Sequence, residues 1–278
     1  MSILGYSAQL ITLYMLSLWG LNLAIQDPSF IDTAWGMGFV LVAGIAALHS
    51  QFDPRCLLLL ILTAAWGMRL SLHLFRRWRR EGADERYVRF LRKVPIRNYP
   101  LATLVFVFGM QGTLMWIVSL PLQAAALAAP LVTPGSVHSN LPETLSFGVV
   151  NIAGLCIALA GMVMEAVADA QLSHFRSLKD SKSKVLNIGL WRYSRHPNYF
   201  GDAVFWWGLY FISIDTSRQD YLSLWSIAGP ITMTYLLRYL SGVPLIDAKL
   251  KHTRPGYEDY MRYTSPFVPL PPLKAHGK

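Results

Sequence analysis

The chain has 278 residues, of which 53% are hydrophobic and only 15% are charged. An ordinary soluble protein has about 25% charged residues, so this composition excludes a water-soluble globule. The net charge of +9 is compatible with a nucleic-acid binder. However, the basic residues lie in short stretches between apolar segments rather than along one solvated face. We therefore expect membrane lipid around the chain, with no nucleic-acid partner and no obligatory protein partner.

Long apolar stretches predict seven transmembrane helices, because a helix needs about 20 apolar residues to cross the hydrocarbon core. In chain order these stretches are residues 4–26, 33–52, 56–68, 101–132, 144–164, 203–214 and 221–237. Aromatic residues extend the shortest of them, 203–214, back to residue 198, which suits a span with its ends at the interface. The part of the fourth stretch after Pro121 is expected to form an outer extension of that helix. The predicted fold class is all-α, a polytopic membrane protein.

The basic residues predict the orientation of these helices. Residues 76–97 carry nine Lys and Arg, residues 170–200 carry six and residues 238–278 carry seven, whereas the intervening loops hold only Arg55 and Arg218. Because Lys and Arg favour the cytoplasmic side, we expect the N-terminus outside and the C-terminus in the cytoplasm. Residues 1–278 would then form a single seven-helix domain.

Cofactor and metal fingerprints are absent from the sequence. Gly36 and Gly38 lack the third glycine and the βαβ context of a dinucleotide-binding fingerprint. The histidines have no metal-ligand spacing, and Cys56 and Cys156 lie in apolar stretches, where we expect buried thiols. We therefore predict no metal site, and any dinucleotide would be held by helix ends and loops.

One set of polar residues ends the fifth predicted helix. Glu165, Asp169 and Arg176 are spaced by four and seven residues, which places them on one helical face. Acidic residues near a helix C-terminus oppose the helix dipole, so they need a reason to be there. The alternatives are a ligand site and an ion network at the membrane interface.

A second set lies in residues 189–202, GLWRYSRHPNYFGD. Pro197 is acceptable in the first turn of a helix, and a helix starting there has Asn198 and Asp202 one turn apart on one face. Its free backbone amides, with Arg192, Arg195 and Lys184 nearby, would suit a phosphate or pyrophosphate. The alternative is an interfacial anchor whose Arg195 and His196 meet lipid headgroups.

The stretch RYSRHPNYFGD (192–202) resembles the C-terminal signature of the steroid 5α-reductase superfamily of integral membrane reductases, particularly its bacterial members. WGMRLSLHLFRRWRREGADERY (66–87) is similar to that family's helix ending in Arg and followed by a Gly–acid–Arg–Tyr loop. VADAQLSHFR (167–176) resembles its Asp-to-Arg helix end, and SGVPLID (241–247) followed by RPGYEDYMRYTSPFVP (254–269) resembles its terminal segment. The resemblance covers roughly residues 27–270 and implies a multi-pass protein of the bacterial inner membrane.

The resemblance also implies an activity, the NADPH-dependent reduction of a polarised carbon–carbon double bond, as in a 3-oxo-Δ4 steroid. The substrate would be a lipophilic small molecule that enters from the bilayer. Loops 76–97 and 170–200 and the tail 240–278 would close a cofactor site that faces the cytoplasm. Carried over position by position, the implied NADPH-binding residues are Asp84, Arg86, Glu165, Asp169, Arg176, Lys184, Asn198 and Asp202. Arg195, His196 and Tyr199 of the same signature complete the set of cofactor candidates.

Two positions depart from that family and concern catalysis. The steroid enzymes hold the 3-keto group with a Gln–Glu pair, where this chain has Ile31 and Asp32, and His73 stands where they use a tyrosine. Reduction of an enone needs a donor near the carbonyl oxygen, because negative charge grows there as hydride arrives. We expect Asp32, protonated in apolar surroundings that disfavour its charged form, to be that donor, with His73 as a second donor. The structural alternatives are a helix N-cap for Asp32 and a hydrogen-bonded core residue for His73.

Two other classes compete with the reductase. An S-adenosylmethionine-dependent membrane methyltransferase of the isoprenylcysteine or phospholipid type shares an Arg-His-Pro-Asn-Tyr element on a similar helix end. The helix end at 169–176 and the loop 82–87 favour the reductase. A transporter or scaffold would need charges near the bilayer midplane in broken helices or repeats, whereas the charges here collect on one side.

Overall fold

The computed structural model describes residues 2–129, 147–214 and 221–273. Those residues contain no strand, and their one isolated bridge joins Ser194 to Ser265. The prediction of an all-α fold is therefore confirmed for the described part of the chain.

Twelve α-helices follow one another in the described ranges. They are α1 (Ile3–Ile25), α2 (Ile31–His49), α3 (Pro54–Glu81), α4 (Glu85–Leu91), α5 (Tyr99–Thr103), α6 (Met110–Val118), α7 (Leu120–Ala128), α8 (Val149–Ser177), α9 (Pro197–Ser213), α10 (Ala228–Tyr235), α11 (Val243–Thr253) and α12 (Tyr257–Tyr263). Two π-helical segments, Leu104–Gly109 and Leu236–Leu240, continue α5 into α6 and extend α10.

Five helical segments are long and apolar enough to cross a membrane, and the chain is a multi-pass membrane protein. They are Ile3–Ile25, Pro28–His49, Pro54–Glu81, Ile96–Val118 and Val149–Ser177. These segments correspond to the first five predicted spans. The sixth and seventh spans stay predictions, because α9 has only 17 residues and the chain from Tyr221 to Leu240 is divided among a 3-10 helix, α10 and a π-helix.

Local sequence signals set the helix ends. Asp53 precedes Pro54, and its carboxylate accepts hydrogen bonds from the backbone N–H groups of Arg55 (2.9 Å) and Cys56 (3.3 Å), so it caps the start of α3. At the other end of α3, Gly82 has a φ of 74° and terminates the helix. The candidate span therefore ends within the basic stretch 76–97.

The helices divide into two compact units, Met1–Val150 with Ile212–Gly229, and Asn151–Phe211 with Pro230–Lys278. In the first unit, α2 and α3 approach backbone to backbone, since a Cβ atom on Gly36 would lie 2.4 Å from the carbonyl oxygen of Gly67. The rings of Phe39 and Trp66, both fully buried, pack beside this contact. Close approach through small residues is typical of helices packed in membranes.

The expected outer extension of the fourth helix is instead a separate short helix. The chain turns at Ser119, since Pro121 has no N–H with which to continue the preceding hydrogen bonds. The resulting α7 is buried from Leu120 to Ala126, and residues 130–132 of the predicted extension lie outside the described residues. Cys56 is buried as expected, but Cys156 is exposed on the surface of α8.

Candidate functional site

The second unit brings α8 and α9 into direct backbone contact. A Cβ atom on Gly201 would lie 2.6 Å from the backbone nitrogen of Glu165, and one on Gly161 would lie 2.4 Å from that of Phe205. Helices that touch at glycines leave little room between them, so polar side chains beside the contact are shielded from the surroundings.

Three carboxylic acids and one amide lie beside this contact. Glu165, Asp169 and Asp202 are 3%, 6% and 7% exposed. The Nδ2 group of Asn198 donates a hydrogen bond of 3.1 Å to Oδ1 of Asp169, which joins α8 to the first turn of α9. Oδ1 of Asn198 is buried and accepts no hydrogen bond from any described residue. A buried amide oxygen without a donor is costly, and it marks a position where a ligand N–H or O–H fits.

Arg195 and His196 are buried and joined to α11, and their predicted contact with a cofactor stays a prediction. They are 7% and 2% exposed, and both bind the carboxylate of Asp247 on α11. The Arg195 Nη2–Asp247 Oδ2 distance is 3.0 Å and the His196 Nε2–Asp247 Oδ1 distance is 2.9 Å. The Tyr257 hydroxyl also donates to Asp247 Oδ1, at 2.6 Å. Their side chains therefore hold α11 and α12 against the start of α9.

The charge states within this network follow from its contacts. Burial works to raise the pKa of Asp247, but hydrogen bonds from His196 and Tyr257 and the charge of Arg195 outweigh it and hold that pKa below its usual range. Burial lowers the pKa of His196 despite the nearby carboxylate. At neutral pH the imidazole is thus neutral, with its proton on Nε2 and donated to Asp247.

The C-terminal segment lies along the stretch that precedes α9. The Ser194 hydroxyl donates to the carbonyl of Phe267 (2.7 Å), and the Arg195 N–H donates to the carbonyl of Ser265 (2.8 Å). The N–H of Leu270 donates to the carbonyl of Tyr193 (3.0 Å). These bonds join the C-terminal segment to the stretch before α9 as far as Leu270, and the closing of a cofactor site by the tail stays a prediction.

The remaining predicted cofactor residues of this unit are more accessible. Tyr199 is half-buried and stacks on the His196 ring, with centroids 5.4 Å apart and ring planes within 5° of each other. Arg176 is exposed near the end of α8. Lys184 is exposed in the following loop, where its ammonium pairs with Asp180 at 3.3 Å.

The first unit holds a second cluster, built around Asp32. Nη2 of Arg86 donates to Asp32 Oδ2 (2.8 Å), while Nε of Arg86 donates to Asp84 Oδ1 (2.9 Å). The Tyr87 hydroxyl donates to Asp32 Oδ1 (2.8 Å) and accepts from Nε2 of Gln111 (3.0 Å). The loop after α3 and the helix α4 thereby bring three of the predicted residues together.

The N-cap interpretation of Asp32 is wrong. Asp32 is the second residue of α2, and its oxygens accept from side chains of the distant α4 rather than from its own helix. The capping role belongs to Asp27, which accepts from the N–H of Ser29 at 2.9 Å and from the indole N–H of Trp78 at 2.8 Å. The chain enters its second candidate span through a 3-10 turn that Asp27 caps, and α2 begins four residues after Asp27, at Ile31.

The expected role of Asp32 as a protonated donor stays a prediction, and its contacts indicate a second candidate donor. Both carboxylate oxygens accept hydrogen bonds, and one of the donors is a guanidinium. Burial works to lower the pKa of Arg86, but Asp32 and Asp84 raise it, so Arg86 keeps its charge. The donor in this cluster is Tyr87, whose pKa is raised by burial and by the negative charge of Asp32. Its phenol therefore stays protonated.

Sequence reasoning missed Tyr87, Gln111, Asp247 and Tyr257. Tyr87 and Asp247 lie within motifs that carry the family resemblance, and their buried hydrogen bonds are the signal that gives them a role. His73 is half-buried on α3. The donors to Asp32 described above are Arg86 and Tyr87, so the role of His73 as a second donor stays a prediction. Among the described residues, no group of three or more His, Cys, Asp and Glu side chains is arranged to hold a metal ion.

Comparison with known proteins supplies a family. The sequence pattern of a family described as a protein of unknown function, DUF1295, matches residues 18–265. An uncharacterized protein of Schizosaccharomyces pombe is 22% identical over 238 residues, which cover 76% of this chain and 64% of the yeast protein. The chain thus spans less than two thirds of the length of that relative. No solved structure matches the chain at a significant level.

Proposed function

The chain belongs to the DUF1295 family, which is related to steroid 5α-reductase-like proteins, and on that premise we propose that it is a membrane-embedded NADPH-dependent reductase. Its substrate is a lipophilic enone, a 3-oxo-Δ4 steroid or a similar lipid. The observation that carries the proposal is the hydrogen bond between Asn198 and Asp169. It joins two residues that the family resemblance assigns to the cofactor, 29 positions apart in the chain.

The side chains beside that hydrogen bond fit a nicotinamide nucleotide. The buried Oδ1 of Asn198 offers an acceptor for a carboxamide N–H or a ribose hydroxyl. Asp169 and Glu165 are buried nearby, and carboxylates are the usual acceptors for ribose hydroxyls in dinucleotide sites. Bound there, NADPH supplies the hydride.

In the first unit we assign the polarising donor to Tyr87 rather than to Asp32. Its protonated phenol can donate a hydrogen bond to the carbonyl oxygen of the substrate. That oxygen then replaces Asp32 as the acceptor. Asp32 keeps Arg86 in position, and the fixed guanidinium charge stabilises the negative charge that grows on the oxygen. Gln111 donates to the phenol oxygen and favours the proton leaving it. Asp32 is then a positioning residue, and His73 keeps the predicted place of a second donor.

An open apolar groove on α8 suits a lipophilic substrate. It has a volume of about 480 Å³ and is lined by apolar side chains, namely Leu159, Ala160, Val163, Met164, Val167 and Leu190. This size is within the range of small-molecule sites, roughly 300–1,000 Å³. Because α8 is a candidate membrane span, a hydrophobic ligand can reach the groove from the hydrocarbon phase.

The same proposal includes seven spans and a cytoplasmic cofactor site in a bacterial inner membrane. Lys and Arg cluster in residues 76–97, 170–200 and 238–278, which favours the cytoplasmic side for all three. With α9 and the segment around α10 as the sixth and seventh spans, the N-terminus lies outside and the C-terminus lies in the cytoplasm.

The deciding experiment uses the purified full chain in detergent. We expect NADPH to raise the melting temperature, because a ligand that binds only the native state stabilises it by mass action. NADPH oxidation should then depend on an added 3-oxo-Δ4 steroid. Asn198→Ala should lose the NADPH-induced shift but melt normally without ligand, whereas Asn187→Ala, at an exposed loop asparagine, should keep it.

Two outcomes would contradict the proposal. Stabilisation by S-adenosylmethionine but not by NADPH would make the chain a methyltransferase. An Asn198→Ala variant with the wild-type response to NADPH would leave the hydrogen bond between Asn198 and Asp169 with only a structural role, joining α8 to α9.

A further inference from the structure

One face of α3 is exposed along most of the helix and changes from apolar to basic. Its exposed apolar residues recur every three or four positions, the period of an α-helix. They are Leu57, Ile61, Ala65, Met68, Leu72 and Phe75. Arg79 continues this spacing, and the exposed Arg76 and Arg80 flank it. We call Arg76, Arg79 and Arg80 the arginine face.

The change of character occurs where the hydrocarbon core of a membrane would end. α3 begins at Pro54 and is a candidate membrane span. At 1.5 Å per residue, its part from Pro54 to Phe75 is about 30 Å long, which is the thickness of the hydrocarbon core. With the apolar residues in contact with acyl chains, the arginine face lies at the level of the headgroup phosphates.

The arginine face has no acidic partner among the described residues. Arg77, by contrast, is turned towards the following loop, with its Nη2 atom 3.8 Å from Oδ2 of Asp84. Nε of Arg80 donates to the carbonyl of Arg76 at 3.2 Å, a bond that orients the side chain but does not neutralise its charge. Glu81 is the one acidic residue of α3, too few to balance three guanidinium groups. The face therefore keeps a net positive charge.

We propose that the arginine face binds the headgroup of an anionic phospholipid, whose acyl chains lie along Leu72 and Phe75. The headgroup phosphate accepts charge-assisted hydrogen bonds from guanidinium groups. A zwitterionic lipid also carries a cation, which the arginines repel, so a lipid with net negative charge is favoured. Basic clusters at the end of a membrane span attract anionic lipid in this way. The inference does not depend on the reductase proposal.

The test measures lipid selectivity at the arginine face itself. A fluorophore is attached to Leu72→Cys in a Cys156→Ser background, and the full chain is reconstituted into phosphatidylcholine vesicles that contain phosphatidylglycerol. Bromine on the acyl chains of one lipid or the other quenches the fluorophore and reports which lipid lies beside it. We expect phosphatidylglycerol to be preferred, and the preference to fall at high ionic strength because the charges are exposed.

Substitution of the arginine face should abolish most of this selectivity. Each basic residue near an anionic surface contributes about a 5-fold preference. The variant that combines Arg76→Gln, Arg79→Gln and Arg80→Gln should therefore lose roughly 10- to 100-fold of the preference for phosphatidylglycerol. Lysine at the same three positions keeps the charge and should retain most of the preference, and this variant carries the test if the glutamine variant fails to fold.

Two controls isolate the arginine face. A variant that combines Arg89→Gln, Lys251→Gln and Arg262→Gln removes the same net charge from exposed cations, each of which pairs with an acid at 3.1 to 3.5 Å. It should keep the wild-type selectivity. A fluorophore on Leu57→Cys, at the opposite end of the same face of α3, should detect a much smaller preference.

Three outcomes would overturn the lipid site. They are an unchanged preference in the glutamine variant of the arginine face, an equal loss in the charge-matched control, and an equal preference at positions 57 and 72. A protein that shows the expected selectivity but oxidises no NADPH upholds the lipid site and removes the reductase.

Discussion

The hydroxyl of Tyr87 donates a hydrogen bond of 2.8 Å to Oδ1 of Asp32, although 55 positions separate the two residues in the chain. Asp32 lies in the first turn of one candidate span, and Tyr87 lies in the short helix that follows the next. Arg86, adjacent to Tyr87, binds the other oxygen of the same carboxylate. These two hydrogen bonds, one of them from a guanidinium, therefore hold the start of α4 against the first turn of α2.

Tyr87→Phe should reduce the turnover of an enone substrate on the order of 100- to 1000-fold, the usual cost of removing one donor to a developing oxyanion. Asp32→Ala should also reduce turnover, because it frees Tyr87 and leaves Arg86 paired with Asp84 alone. Asp32→Asn, which keeps an acceptor for Tyr87, should be less damaging. The measurement is steroid-dependent NADPH oxidation at saturating cofactor.

Tyr99→Phe is the control for that series. It removes another phenol of the same unit, which donates to Oδ1 of Asn22 at 2.9 Å, and it should leave turnover near the wild-type rate. Wild-type turnover in Tyr87→Phe would transfer the donor role to His73.

Asp247→Asn should destabilise the protein strongly. The substitution leaves the buried guanidinium of Arg195 without its counterion, and breaking a buried ion pair in this way costs about 3–5 kcal/mol. Asp259→Asn removes a carboxylate from a surface pair with Arg262, where about 0–1 kcal/mol is at stake. Thermal melts in the same detergent compare the two. Equal melting temperatures would contradict the assignment of Asp247 as the residue that holds α11 to α9.

Stability should decline as the pH falls from 7 towards 5, partly through His196. Burial holds the pKa of this histidine below its ordinary value of 6.5. Just below that pH the unfolded chain therefore binds a proton that the folded chain does not. Protonation of the unfolded state lowers the free energy of unfolding. Asp247, whose pKa is lowered by its partners, adds a further loss at still lower pH.

The contribution of His196 is isolated by substitution. His196→Gln should flatten the pH dependence of the melting temperature between pH 7 and 5, whereas His252→Gln, at an exposed histidine, should leave it unchanged. An unaltered slope in His196→Gln would show that His196 titrates alike in the folded and unfolded states.

The proposed topology predicts opposite accessibility for two loops. In a Cys156→Ser background, a cysteine at position 85 should react with a membrane-impermeant thiol reagent only after the cells are opened. A cysteine at position 138, which lies outside the described residues, should react in intact cells. Labelling of both positions from the same side would contradict the seven-span arrangement with the N-terminus outside.

The helical class and the first five spans are predictable from sequence, because hydropathy and helix-terminating residues act locally. Pro54 and Pro197 each begin a helix, and Gly82 ends one, wherever the rest of the chain lies. The placement of Glu165 and Asp169 on one face of α8 likewise follows from their spacing of four residues.

The partners of the charged residues were decided only by tertiary packing. Nothing in the local sequence indicates that Arg195 and His196 are buried against Asp247, 51 positions after His196, or that Arg254 reaches the loop of Lys184. A charge in a sequence shows that a counterion or water is needed, but not which one, because desolvation and pairing depend on what the fold brings within about 4 Å. The membrane class of this protein is thus determined by composition and by the length of its apolar stretches. The separation of its basic residues into buried structural ones and accessible ones is determined by packing.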